Sequence, residues 1–205
     1  MIKAILFDFD GVLTIDKAGS TTITNYISQK TGISLDLVKS CYYTYNKRLL
    51  YGEISHEDMW EDFCNDIGQP IDYQILTDSF IYTALDETMI DYIKKLKETY
   101  LIGMITDNKC DRIHTILTHN ELKNYFDVVA ISAEHHSGKD NLSIFQYVLN
   151  QLNVSPKECV FIDNTAKNLI IPAQMGMHTI LFDDENRDFE AFSKELLSTI
   201  IKALS

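Results

Sequence analysis

Apolar positions along this chain fall into two patterns: short unbroken runs, and longer stretches with three- and four-residue spacing. The run Ala4-Ile5-Leu6-Phe7 contains no polar residue, which is the signature of a strand buried on both faces. Comparable runs lie at 101–105, 128–131, 159–162 and 179–182. Between and after the later runs the spacing becomes helical. Residues 111–118 carry Ile113, Ile116 and Leu117; residues 142–152 carry Ile144, Phe145, Val148, Leu149 and Leu152; residues 165–175 follow the fourth run. Phe189, Phe192, Leu196, Ile200 and Leu204 form a last stripe. Alternation of this kind predicts an α/β fold with a parallel sheet covered on both faces.

Residues from about 17 to 85 break the alternation. They show helical patterns and no clear strand: Val38, Cys41, Tyr42, Tyr45 and Leu49 share a face, Met59, Trp60 and Phe63 mark a second helix, and Ile75, Phe80 and Ile81 a third. Ser55-His-Glu-Asp58 reads as a capping box opening the second of these. The segment is too long for a simple crossover and is expected to be a helical insertion.

The first run ends in Asp8-Phe-Asp10-Gly11-Val-Leu-Thr14, two carboxylates at the end of a buried strand. That edge of an open α/β sheet is where ligands bind. A calcium loop beginning at Asp8 would need glycine at its sixth position, where this chain has Leu13, and a helix rather than a strand before it. Thr106 closes the run before Asp107-Asn108; Lys139 stands in Ser137-Gly-Lys-Asp140; Asp163-Asn164 closes the fourth run. Taken singly, Thr106 reads as a strand-end or capping threonine, Lys139 as a solvated loop lysine and Asp163 as a helix cap. Together they fall at the ends of predicted strands or in the loops beyond, an agreement that those separate readings do not produce.

In this order the four stretches resemble motifs I to IV of the haloacid dehalogenase-like (HAD) hydrolases. The resemblance implies a Rossmann-like core of residues 1–16 and 86–205, with a C1-type helical cap of residues 17–85 that closes over the site. It implies an Mg²⁺-dependent phosphatase acting through an aspartyl-phosphate. Asp8 would be the nucleophile. Asp10 would be the general acid and base, a role that burial and the phosphate charge would favour by holding a proton on it near neutral pH. Asp8, Asp163 and the Asp10 backbone carbonyl would hold Mg²⁺. Thr106, Asp107 and Lys139 would bind the phosphoryl group and balance charge. Asp10 favours phosphoryl transfer over dehalogenation, because halide leaves without a proton. Asn164 departs from the pair of acids common in motif IV. A sugar phosphate is the favoured substrate, a sugar phosphomutase the alternative, and a non-catalytic phosphate- or metal-binding relative a further one. Gly52-Glu-Ile-Ser-His56 lies near the cap segment that helps to choose substrate, or is a plain helix connection.

A formal net charge of −12 argues against nucleic acid and anionic membrane as partners, and the small phosphorylated metabolite that the resemblance implies would have to be drawn in by local cations and a metal. Cys41, Cys64, Cys110 and Cys159 form no CxxC pair, which points to a reduced, cytoplasmic setting without a zinc knuckle. No signal peptide or membrane span is expected. The adjacent His135 and His136 cannot easily share a metal if the backbone there is extended.

Overall fold

The run Ala4–Phe7 is strand β1, and all four of its residues are buried because it lies in the middle of the sheet. The computed structural model describes residues 1–204. Four helices follow β1: α1 (Gly19–Thr31), α2 (Leu35–Leu50), α3 (His56–Ile67) and α4 (Tyr73–Ile81). The remaining elements are α5 (Glu87–Leu96), β2 (Leu101–Thr106), α6 (Cys110–His119), β3 (Val128–Ile131), the short α7 (Ser132–His135), α8 (Leu142–Leu152), β4 (Cys159–Asp163), α9 (Ile170–Met175), β5 (His178–Leu181) and α10 (Phe189–Lys202). The sheet order is β3-β2-β1-β4-β5 and every pairing is parallel. The result is a Rossmann-like α/β fold whose strands all end at one edge.

Alternate residues of the central strands face opposite layers. Ile5 and Phe7 of β1, Ile102 and Met104 of β2, and Val160 and Ile162 of β4 join a core that continues into the inserted helices. Ala4, Leu6, Ile105 and Phe161 instead pack against Ile144, Phe145, Val148 and Leu149 of α8. The predicted capping box at α3 is present: the Ser55 side chain accepts from Asp58 N, and Asp58 accepts from Ser55 N at 2.8 Å. Such a cap contributes about 1 kcal/mol.

Three details differ from the sequence pattern. Helix α5 follows the Asp86 N-cap, with Met89, Ile90, Ile93 and Leu96 buried along one stripe, where the pattern assigned no element. Residues 165–175 are not one helix but a 3-10 turn (Ala166–Leu169) followed by α9. Pro172 lacks the N–H that a continuous helix would use there; starting α9 at Ile170 leaves the proline in the first turn, where it is tolerated. Strand β5 begins and ends one residue earlier than its apolar run suggests.

Candidate active site

Asp8 sits one residue beyond β1 and extends the ladder, its N–H donating to the Ile162 carbonyl at 2.9 Å. Asp163 is the last residue of β4 and fully buried. Lys139, from the loop between α7 and α8, places Nζ between them, 2.8 Å from Asp8 Oδ2 and 2.6 Å from Asp163 Oδ2. Burial pushes the Asp8 carboxyl up, Lys139 opposes this and Asp163 adds to it, leaving Asp8 at about 7. Burial would lower the Lys139 ammonium, but the facing carboxylates Asp8, Asp163 and Asp107 more than reverse that.

One ammonium between two buried carboxylates leaves an excess of negative charge, with hard oxygen donors to carry it. That donor set suits a small divalent cation such as Mg²⁺. Thr165 N (2.7 Å) and Asn168 Nδ2 (3.1 Å) also donate to Asp163 and fix its orientation. Asn164, in place of a second acid, donates Nδ2 to Asp184 at 2.8 Å.

Asp10 is held differently. Arg112 Nη2 lies 2.9 Å from Oδ1 and Nη1 3.0 Å from Oδ2, a bidentate pair. Asn108 Nδ2 donates to Oδ2 at 2.7 Å and Gly19 N at 3.0 Å. Burial would raise this carboxyl; the Arg112 charge and hydrogen bonds, with that of Asn108, outweigh burial and hold it below the usual carboxylate range. Burial alone therefore does not raise the Asp10 carboxyl in this arrangement; of the two contributions expected from sequence, phosphoryl charge is the one that remains. Gly19 is required beside it, since a Cβ there would lie 2.3 Å from Arg112 Cζ.

Thr106 is buried at the end of β2, its Oγ1 3.2 Å from Asn108 Nδ2. Asp107 accepts the Lys139 backbone N–H at 2.9 Å and so braces the lysine loop. Asp8, Asp10, Thr106, Asp107, Lys139 and Asn164 line one cavity of about 310 Å³. Asp163 lies behind this wall, joined to it through Lys139.

The inserted helices close the other side. Ser20, Tyr43, Asn46 and Leu50 line the same cavity, as does Lys109 just ahead of α6. Lys109 Nζ donates to Ser20 Oγ at 2.6 Å, and Ser20 Oγ donates to Asn46 Oδ1 at 2.8 Å. The insertion is tied to the sheet edge elsewhere too. His56 is fully buried; its Nδ1 is 2.7 Å from Asp111 Oδ2 and its Nε2 2.7 Å from the Tyr42 hydroxyl. A carboxylate only accepts, so Nδ1 carries the proton and Nε2 accepts from Tyr42. At Gly52 a Cβ would lie 2.0 Å from the Ala133 carbonyl oxygen, so only glycine permits this approach.

Burial lowers the Lys109 ammonium to about 7, and Arg112 lowers it further against the pull of Asp10 and Asp111. The folded value lies below the unfolded one, so the chain takes up a proton on unfolding between about pH 7 and 10.5, and stability rises with pH across that window. Lys109→Met should flatten that rise in urea midpoints taken at several pH values. An unchanged slope would show that the ammonium is not desolvated.

The sequence pattern singles out neither Arg112, Asn108 nor Lys109. It also passes over Arg187, which donates to the Gly11 carbonyl at 2.8 Å and the Val12 carbonyl at 3.0 Å and pairs with Asp86 at 2.6 Å, anchoring the loop after Asp10. His135 and His136 stand outside the cavity lining. His135 ends α7 rather than lying on extended backbone and packs on Tyr147, and His136 Nδ1 donates to the Tyr51 carbonyl at 2.8 Å. Cys110, His114 and Glu134 bring donor atoms within 4.8 Å of one another on the outer side of α6, a grouping that the histidine spacing alone does not reveal.

The family model for haloacid dehalogenase-like hydrolases matches residues 2–176. The chain is 26% identical over 228 residues to glyceraldehyde 3-phosphate phosphatase of Methanocaldococcus jannaschii, covering 100% of this chain and 99% of that protein. It is 22% identical over 197 residues to D-ribitol-5-phosphate phosphatase of Bacteroides thetaiotaomicron, covering 91% and 93%. It is also 27% identical over 196 residues to mouse acyl-CoA dehydrogenase family member 10, 88% of this chain but only 18% of that protein's length. A HAD family enzyme of Bacteroides thetaiotaomicron, solved with magnesium and inorganic phosphate, shares the fold at a TM-score of 0.75 and 18% identity over 90% of this chain and 96% of that one.

Proposed function

This chain belongs to the haloacid dehalogenase-like hydrolases, and from that membership we propose that it is a phosphatase that hydrolyses a small phosphorylated metabolite through an aspartyl-phosphate on Asp8. The observation that carries this reading is the Asp8–Lys139–Asp163 triad at the carboxyl edge of the sheet, opening on a cavity that fits a compact ester. Relatives named as glyceraldehyde 3-phosphate and D-ribitol-5-phosphate phosphatases support a phosphorylated polyol or sugar as the substrate class. Residues 17–85 act as the cap over this site. The free cysteines support a reducing, cytoplasmic setting. Among the described residues no helix is long and apolar enough to cross a membrane.

Asp8 Oδ attacks phosphorus as the ester P–O bond breaks, and the leaving oxygen takes a proton. Thr106 and neighbouring backbone N–H groups hold a phosphoryl oxygen, and Lys139 keeps Asp8 aimed. Mg²⁺, held by Asp8, Asp163 and the Asp10 carbonyl, would neutralise charge on the phosphoryl oxygens. Asp10, ionised beside Arg112, is ready to take the proton of the water that cleaves the aspartyl-phosphate. To protonate the leaving oxygen in the first step, Asp10 must first release Arg112 and take up a proton from solvent, which it then passes on.

Phosphate release should require Mg²⁺, stop with EDTA and be inhibited by Ca²⁺, whose larger, looser shell spoils in-line geometry. Asp163→Ala should raise the Mg²⁺ requirement strongly, and Asn164→Asp only modestly. Full activity after exhaustive chelation would overturn the metal assignment. The same assay on a panel of sugar phosphates, run with and without a sugar bisphosphate primer, separates hydrolysis from mutase activity: a mutase isomerises without releasing phosphate.

A further inference from the structure

The cavity has two electrically different walls. On the sheet side, Asp8 and Asp107, with Asp163 behind them, outnumber Lys139, an excess that a divalent cation answers. The side toward the inserted helices has the opposite balance. Lys109 is 3% exposed, and its Nζ has only the Ser20 hydroxyl as a hydrogen-bond partner; no carboxylate among the described residues lies within 4.0 Å of it. The nearby acids are committed elsewhere: both Asp10 oxygens are held by Arg112, and Asp111 receives His56 Nδ1. Arg112 therefore takes both oxygens of Asp10, and Lys109 is left without a carboxylate partner on this wall.

A buried cation without a counter-ion is expensive, and burial answers by lowering the Lys109 ammonium. A negative group entering from the cavity would remove that cost. Ser20 and Asn46 supply neutral hydrogen-bonding groups beside it, from α1 and α2. Tyr42 is fully buried behind the lining, its ring centroid 5.8 Å from the ammonium.

We propose that Lys109, with Ser20 and Asn46, forms an anion subsite that reads a carboxylate on the leaving group, so that the preferred substrates are phosphate monoesters of small hydroxy acids. This rests on the phosphatase reading and narrows its substrate class. A carboxylate fits better than a second phosphoryl group, because the buried part of this wall offers one cation, Lys109, whereas the other lysines of the lining outside the sheet edge, Lys17 and Lys167, are exposed.

The test uses a matched pair, 3-phosphoglycerate and glycerol 3-phosphate, which differ by a carboxylate in place of a hydroxymethyl group. Wild type should favour the acid in kcat/KM by roughly 10–100-fold, the span of one charge-assisted hydrogen bond. Lys109→Met should collapse that preference mainly through KM for the acid, while Lys109→Arg should retain part of it. 2,3-Bisphosphoglycerate, which carries a second phosphoryl group beside the carboxylate, should be the poorer substrate. Wild-type preference for glycerol 3-phosphate, or for the bisphosphate, would overturn the carboxylate subsite, as would a preference unchanged in Lys109→Met. p-Nitrophenyl phosphate, assayed alongside, separates the two levels. If it is turned over while the acid is not favoured, only the subsite fails. If no ester is hydrolysed, the phosphatase reading fails.

Discussion

Asp8→Asn should lower phosphate release by on the order of 10⁴–10⁶-fold, the scale on which loss of a covalent nucleophile is felt. The amide fills the same volume, but its single oxygen can accept from Lys139 (2.8 Å from Oδ2) or from the Phe9 N–H (2.7 Å from Oδ1) and not from both, and it cannot form the aspartyl-phosphate. The fold should be intact. Burial disfavours a charge at Asp8 and Asp163 adds repulsion, both of which a neutral amide relieves, and this offsets the lost Lys139 attraction and the one hydrogen bond given up. Two readouts check this: phosphate release with Mg²⁺ present, and the thermal midpoint without it. Wild-type turnover in the variant would remove Asp8 from the chemistry. Lost turnover with a midpoint several degrees lower would mean that Asp8 is needed for folding and would leave the nucleophile to be shown by trapping the phospho-enzyme.

Asp8 and Asp163 were legible in the sequence because an uninterrupted apolar run closed by an acid marks a buried strand reaching solvent: the run fixes the strand, and the parallel sheet then brings its end to the common edge. Thr106 also closes an apolar run, but taken singly it reads as a strand-end threonine, and only the order of the four stretches marks it out. Lys139 was legible only through the ordered resemblance, since a lysine in a glycine-containing loop is ordinarily solvated, whereas here it is 3% exposed. Arg112, Lys109 and Arg187 carry no comparable local signal. Arg112 sits on α6 as one polar residue among several, and what buries it is Asp10, more than a hundred positions earlier in the chain. Arg187 meets the Gly11 carbonyl across a still longer gap. Partner choice of this kind is set by tertiary packing, to which periodicity is blind. Helix α5 is a different case: the Asp86 cap and the Met89, Ile90, Ile93, Leu96 stripe are visible in the sequence, in a stretch overshadowed by the insertion before it. His56 is visible in the sequence as part of a capping box and of the Gly52–His56 connection; that its ring is buried between Tyr42 and Asp111 depends on how α3 docks.

Asp10→Asn should separate the two proton-transfer roles of Asp10. With p-nitrophenyl phosphate the leaving group needs little protonation, so phosphorylation of Asp8 should be partly spared, while hydrolysis of the aspartyl-phosphate slows for want of a base. The variant should show a burst of p-nitrophenol followed by slow turnover. With a sugar phosphate, whose alkoxide leaves poorly, both steps should suffer, each by on the order of 10²–10⁴-fold. The substitution also strands Arg112, which is fully buried and has its Nη1 and Nη2 on the two Asp10 oxygens. Removing one member of such a pair costs about 3–5 kcal/mol, so the variant should melt earlier, and combining it with Arg112→Met should recover much of the loss. The double variant is the informative control: it restores the fold without restoring the proton carrier, so the burst and the slow second step should persist in it. Equal and small losses on both substrates would show that Asp10 serves only to hold the metal and the Arg112 contact, and that another group moves the proton.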